Sequence, residues 1–258
     1  MFASRIWIVF WLLSNFSVLI LCKMGVLTTD ISLQNTLSLP SILHPFGFDS
    51  FGRDLFLLCL KSSGVSVCFA ICAVFCASVL SLTYGVALAL SPEWLRFTGQ
   101  RVLEFLLAFP SVLLALAYAA IWGPGWDTLL VSLFLGIFPS LSRLVFVRSR
   151  DLMGEDYVKA SFAFGGRSFW IARIHCMPAL LSLMAVKFPN LFAHALLAEA
   201  TLSFLGVGAP IGSDTWGSLL ALGSAYPVEA PHITMATVVP LVLTLLAFQI
   251  LSERKTDF

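Results

Sequence analysis

The sequence predicts an all-α, polytopic integral membrane protein, and three observations carry that prediction. Of its 258 residues 59% are hydrophobic and 11% charged, with a mean hydropathy of +0.95. A compact soluble domain of this size could not cover its surface with so few polar groups. Apolar runs of roughly 20 residues recur along the chain, the length an α-helix rising about 1.5 Å per residue needs to cross a hydrocarbon core. Lys and Arg are also divided unevenly between alternate connections, which is how multi-pass proteins encode orientation. A net charge of +1 offers no nucleic-acid surface, so no nucleic-acid partner is expected.

Six spans are expected within one transmembrane domain covering residues 1–258, at residues 6–22, 64–90, 103–122, 127–142, 179–198 and 233–251. The first lies between Arg5 and Lys23, and no small-x-small cleavage site follows its apolar run, so it is expected to stay as an anchor and not to be removed as a signal peptide. Trp7, Trp11, Trp94, Trp122 and Trp126 stand near span ends, where indoles favour the interface. The fourth span is short and can extend past Arg143, whose side chain can snorkel.

Connecting the first two spans is a segment with His44, Pro45, Gly47, Asp49, Gly52, Arg53 and Asp54. Its glycines permit turns that other residues resist, and its charges can tie the loop to itself. Its oxygen ligands are too few and too widely spaced for calcium. In the second span Gly64, Cys68, Cys72 and Cys76 recur every four residues, which predicts a seam of small side chains for a neighbouring helix. With no His or carboxylate nearby, these thiols do not read as a metal site. The remaining cysteines, Cys22, Cys59 and Cys176, complete no disulfide framework.

If the N-terminus is inside, the inner segments carry Arg5, Arg96, Arg101, Arg143, Arg148, Arg150, Lys159, Arg167, Arg173, Arg254 and Lys255. The outer segments carry Lys23, Arg53 and Lys61, a bias of eleven to three that places both termini and the loop 155–178 in the cytoplasm. In that loop Glu155 and Asp156 suit a helix N-terminus, Val158 and Phe162 share a face, and Gly165 and Gly166 stop a helix of about ten residues. Ser168 can cap a second short helix with Phe169, Trp170 and Ile174 at the membrane surface, and Pro178 opens the fifth span.

A charge at membrane depth costs about 2.5 to 3.5 kcal/mol on insertion scales, so Lys187 in the fifth span should face protein or water. Asn190 and His194 follow at i+3 and i+7 on the same face. The stripe Lys187, Asn190, His194 reads either as lining of a translocation path, where Lys187 meets a substrate carboxylate, or as a structural contact with a neighbouring helix. Pro189 predicts a kink beside Lys187. Glu199, just past this span, reads as an interfacial cap or an interdomain contact.

The inner loop, with Asp156, Tyr157, Val158, Lys159, Ala160, Ser161, Phe162 and Gly165 in order and Pro178 thirteen residues after Gly165, resembles the EAA loop of ATP-binding-cassette (ABC) importer permeases. That motif opens Glu-Ala-Ala and reaches Gly after a three-residue gap. Here Lys159 replaces its Glu and Ser161 its second Ala, while Ala160, Gly165 and Pro178 stand at matching positions. The segment from His44 to Asp54 resembles the His-Pro-Leu-Gly-Thr-Asp-x-x-Gly-Arg-Asp signature of dipeptide and oligopeptide permeases. Residues 197–208, together with Trp216 and Gly217, resemble a later segment of the same subunits, of the DppC/OppC type.

The resemblance implies a type I importer permease that pairs with a second homologous permease subunit. It implies two cytoplasmic ATPase subunits that bind ATP and Mg and grip the inner loop, and an extracytoplasmic substrate-binding protein that delivers a peptide. The chain lacks the Gly-x-x-x-x-Gly-Lys-Ser/Thr loop that wraps a nucleotide phosphate, so no cofactor and no catalysis are expected of it. The bacterial inner membrane is the implied location. Nickel and other small-solute importers share these signatures and remain alternatives. Six spans alone suit a stand-alone channel or secondary carrier equally well, but neither needs a Gly-terminated inner helix. An intramembrane enzyme would need a nucleophile and base placed together, and His194 has no evident partner of that kind.

Overall fold

The computed structural model describes residues 31–210 and 212–256. Among them no strand forms, and the only β contact is an isolated bridge between Phe48 and Asp54. Helix α1 spans Leu55–Leu90 because Asp54 stays extended and its Oδ1 accepts the amides of Phe56 at 2.8 Å and Leu57 at 3.3 Å. It therefore begins well before the expected start at Gly64, and Lys61, Ser62 and Ser63 lie inside it. Of the seam expected along Gly64, Cys68, Cys72 and Cys76, Gly64 is buried and Cys68 half-buried, but Cys72 and Cys76 are exposed. The buried stripe runs beside it through Ser66, Ala70, Ala73, Ala77, Ser81 and Gly85, with Ser81 and Gly85 set against α4. A Cβ on Gly85 would sit 2.8 Å from Val145 Cβ and 3.0 Å from the Phe146 amide, so the two backbones approach closely only with glycine there.

The expected third span is not one helix. Helix α2, Glu93–Ala108, and helix α3, Ser111–Trp122, meet at 86°. Pro110 forces its predecessor out of the helical region, and Phe109 is extended at φ −97°, ψ 134°. Helix α4, Trp126–Gly154, prolongs the fourth span past Arg143 and carries Pro139. Beside that proline the Phe138 carbonyl accepts from Ser81 Oγ at 3.2 Å, and Ser142 Oγ donates to Ser81 Oγ at 3.1 Å.

Helix α5, Asp156–Ala163, and the single turn α6, Ser168–Ile171, form the inner loop. A π-turn, Ala172–Cys176, leads directly into α7, Met177–Phe204. Pro178 therefore sits inside a continuous run and does not open a separate span. Having no N–H, it cannot bond the carbonyl four residues back, and the wide turn in which Met177 N–H donates to Ala172 O absorbs that fault. Helices α8, Trp216–Ser224, and α9, Pro231–Thr256, complete the order.

Side chains of α1, α4, α7, α8 and α9 share one core in which Val74, Val145, Leu180, Phe192, Leu196 and Trp216 are buried. Four of the described runs, Leu55–Leu90, Trp126–Gly154, Ser168–Phe204 and Pro231–Ile250, are long and apolar enough to cross a membrane, and the bent pair α2–α3 makes up to five. The expected first span, residues 6–22, lies outside the described residues.

Candidate functional site

The loop 155–178 is held at few points. Helix α5 has eight residues, and Val158 alone among them is fully buried. Glu155, Asp156, Tyr157, Lys159, Ala160 and Phe162 are exposed and Ser161 is half-buried. Val158 and Phe162 thus do not share one buried face. Lys159 Nζ reaches Asp156 Oδ1 at 3.2 Å, an exposed pair of little energetic weight. Gly165 ends the helix at φ +85°, its amide donating to Phe162 O at 2.9 Å, and Gly166 N–H donates to Ser161 O at 3.0 Å. Glycine takes that left-handed conformation without strain, and among other residues Asn tolerates it best. Ser168 does not cap the next helix but is its first helical residue, and Arg167, which holds the N-cap position, makes no side-chain capping bond either.

A contact that sequence reading missed ties this loop to α7. His175, within the π-turn, places Nε2 3.3 Å from Ser161 Oγ. Its ring meets Tyr157 edge-on at 5.6 Å and Trp170 at 6.1 Å. Phe169, Trp170 and Ile174 are exposed around it, as an interfacial segment requires.

On α7, Lys187 and His194 are exposed and Asn190 is half-buried. Among the described residues none of the three side chains makes a hydrogen bond or ion pair. His194 alone reaches a cleft of about 310 Å³ between α3, α4 and α7, shared with Ser111, Ser132, Gly136 and Ser140. Lys187 lies seven residues nearer the inner loop, about 10 Å along the helix axis.

The signature loop from His44 to Asp54 is bonded to itself as expected. Asp49 is fully buried and accepts Arg53 Nε at 2.7 Å and the Phe51 and Arg53 amides at 2.8 Å. His44 Nδ1 lies 2.6 Å from Asp54 Oδ2, and Pro45 precedes the turn. Gly47 and Gly52 take φ +75° and +69°, and a Cβ on Gly52 would stand 1.9 Å from Ser32 O. Sequence reading missed Asp214, which pairs with Lys61 at 2.7 Å and Arg53 at 3.3 Å, joining two distant loops.

Glu199 is not interfacial but completely buried, accepting from Ser203 Oγ at 2.9 Å. Around it the later signature segment folds into a knot. Ser66 Oγ accepts the Trp216 amide at 3.0 Å, and Thr215 and Ser218 form a reciprocal capping box that starts α8. A Cβ on Gly217 would lie 2.3 Å from Ala200 O, so α8 packs against α7 through bare backbone.

The family model described as binding-protein-dependent transport system inner membrane component matches residues 81–255. The chain belongs to this family. The permease is 33% identical over 221 residues to a putative peptide transport system permease protein of Brucella suis, covering 84% of this chain and 73% of that one. It is 30% identical over 218 residues to the glutathione transport system permease protein GsiD of Escherichia coli, with 84% and 72% covered. Two inward-facing structures of the MetNI methionine ABC transporter share its fold, with TM-scores of 0.57 and 0.61 at 20% and 17% identity, each covering 76% of this chain and 94% of theirs. The permease is thus a multi-pass membrane component of an ABC transport system of the dipeptide/oligopeptide type.

Proposed function

We propose that this permease and a second, homologous permease subunit enclose a path through the bacterial inner membrane for peptides. Two cytoplasmic ABC ATPase subunits, which hold the ATP and Mg, drive it through α5, and an extracytoplasmic substrate-binding protein supplies the cargo. Peptide as cargo accords with what the Brucella and Escherichia relatives are named for. The permease itself hydrolyses nothing. The bias of Lys and Arg toward alternate connections supports a cytoplasmic side for both termini and α5.

The observation that carries this reading is the lever: an exposed helix of eight residues, closed by left-handed Gly165 and joined through His175 to the base of α7. An exposed, sharply terminated helix gives a soluble partner a grip, and the contact to α7 gives that grip a target inside the bilayer. The stripe Lys187, Asn190, His194 faces the shared path, where polar groups meet water or cargo instead of lipid.

Reconstitution of both permeases, the ATPases and the binding protein in liposomes tests this. Labelled peptide should accumulate only with ATP, and a cysteine at Ala160 should crosslink to an ATPase subunit. Accumulation driven by an ion gradient with this chain alone would replace the importer with a carrier.

A further inference from the structure

The break between α2 and α3 creates a feature that neither the family nor the lever explains. Breaking the span at Pro110 frees the first turn of α3, and the Ser111 and Val112 amides make no hydrogen bond among the described residues. Such a terminus carries about half a positive charge. Both residues line the cleft of about 310 Å³ between α3, α4 and α7. Ser132, on the opposite wall, is 5% exposed and its side chain makes no hydrogen bond among the described residues, which leaves its hydroxyl free to face the cleft. His194 adds an imidazole and no acidic side chain lines the cleft.

Depth agrees with a role in transport. Trp122 and Trp126, exposed at the adjacent ends of α3 and α4, mark one interface. Counting inward at about 1.5 Å per residue, Ser111 lies about 16 Å deep and Gly136 about 15 Å, near the middle of a hydrocarbon core about 30 Å thick. Broken helices whose N-termini face a midplane cavity are a recurrent way to hold an anionic group inside a membrane.

We infer that this cleft is a subsite for the carboxylate end of a peptide, held by the α3 amides, Ser132 and His194, with the adjoining side chain against Val112, Ile137 and Leu191. This rests on the peptide-importer reading and assigns the carboxylate to the cleft and not to Lys187. A volume near 300 Å³ is at the small end of ligand clefts, enough for one end of a peptide and not for all of it.

The test uses the whole reconstituted transporter carrying Ser111→Cys, with tri-alanine and tri-alanine amide as probes. Wild-type uptake of tri-alanine is measured first, and its absence overturns the peptide reading and this inference with it. With uptake present, tri-alanine should slow alkylation of residue 111, read by mass spectrometry of the fragment that bears it, while the amide should not. Adding Ser132→Ala should raise the tri-alanine concentration needed for half-protection about tenfold, the worth of one hydrogen bond to a charged group. Equal protection by acid and amide would overturn the carboxylate assignment. Uptake without protection by either, as a lipid-filled cleft would give, would overturn the site and leave the importer standing.

Discussion

Replacing Gly165 by Val should separate ATP hydrolysis from transport, and the size of the effect follows from one backbone angle. At φ +85° an L-residue pays about 1 to 2 kcal/mol, at the upper end for a β-branched side chain. Nothing lies within 4 Å of the new Cβ, so this torsional cost is not compounded by a clash. Every 1.4 kcal/mol is about a factor of ten in population, so the closed turn should lose about 5- to 30-fold against its unwound alternatives. The assay is peptide accumulated per ATP hydrolysed in liposomes, with membrane insertion checked by quantitative blotting. Gly165→Asn should retain most coupling, because Asn tolerates the left-handed region. Gly154→Ala should be silent, since that glycine lies at the end of α4 with open space around it and no positive φ. A Val variant with the wild-type ratio would refute the reasoning, because the turn would then not need the conformation observed.

Other substitutions probe the remaining features. Gly217→Ala puts a methyl 2.3 Å from Ala200 O and 2.5 Å from Ser203 Cβ, and should cost about 1 to 3 kcal/mol, seen as a lower melting temperature in detergent. Asp214→Asn removes the pairs to Lys61 and Arg53. As these are partly exposed, the loss should be about 1 kcal/mol or less and should fade as salt is raised from 50 mM toward roughly 1 M. Lys187→Gln should leave insertion intact and lower peptide uptake, and unchanged uptake would remove Lys187 from the path.

Much of the architecture was legible because composition and length act through the bilayer. Spans four to six appear near their expected places since apolar runs of that length have few alternatives. The third failed at Pro110, where hydropathy continues across a break that only backbone sterics detect. The seam failed for a related reason: small residues at 68, 72 and 76 and at 66, 70, 73 and 77 are equally plausible stripes, and only the closeness of Gly85 to Val145 chooses between them. Within the sites, Gly165, Asp49 and Arg53 could be read because turns and close ion pairs are local. His175, Asp214 and the burial of Glu199 could not, since each depends on partners 14 to 161 residues away or on packing by three helices. Pairing of that range leaves no periodicity in a single sequence.

The wide turn at Ala172–Cys176 has a consequence for length variation in the helical rod it interrupts. A π-turn holds one residue more than the α-turn it replaces, with the flanking segments still in register. One residue deleted there would leave both halves facing as they do now, at the cost of returning Pro178 to an ordinary turn that its ring and missing N–H strain. The same deletion elsewhere within the rod would swivel one half by about 100° against the other, turning His175 away from Ser161 at one end or Leu180 out of the core at the other. Those five positions are therefore where the rod tolerates shortening, and a deletion scan across residues 168–204 should recover inserted, assembled protein there alone.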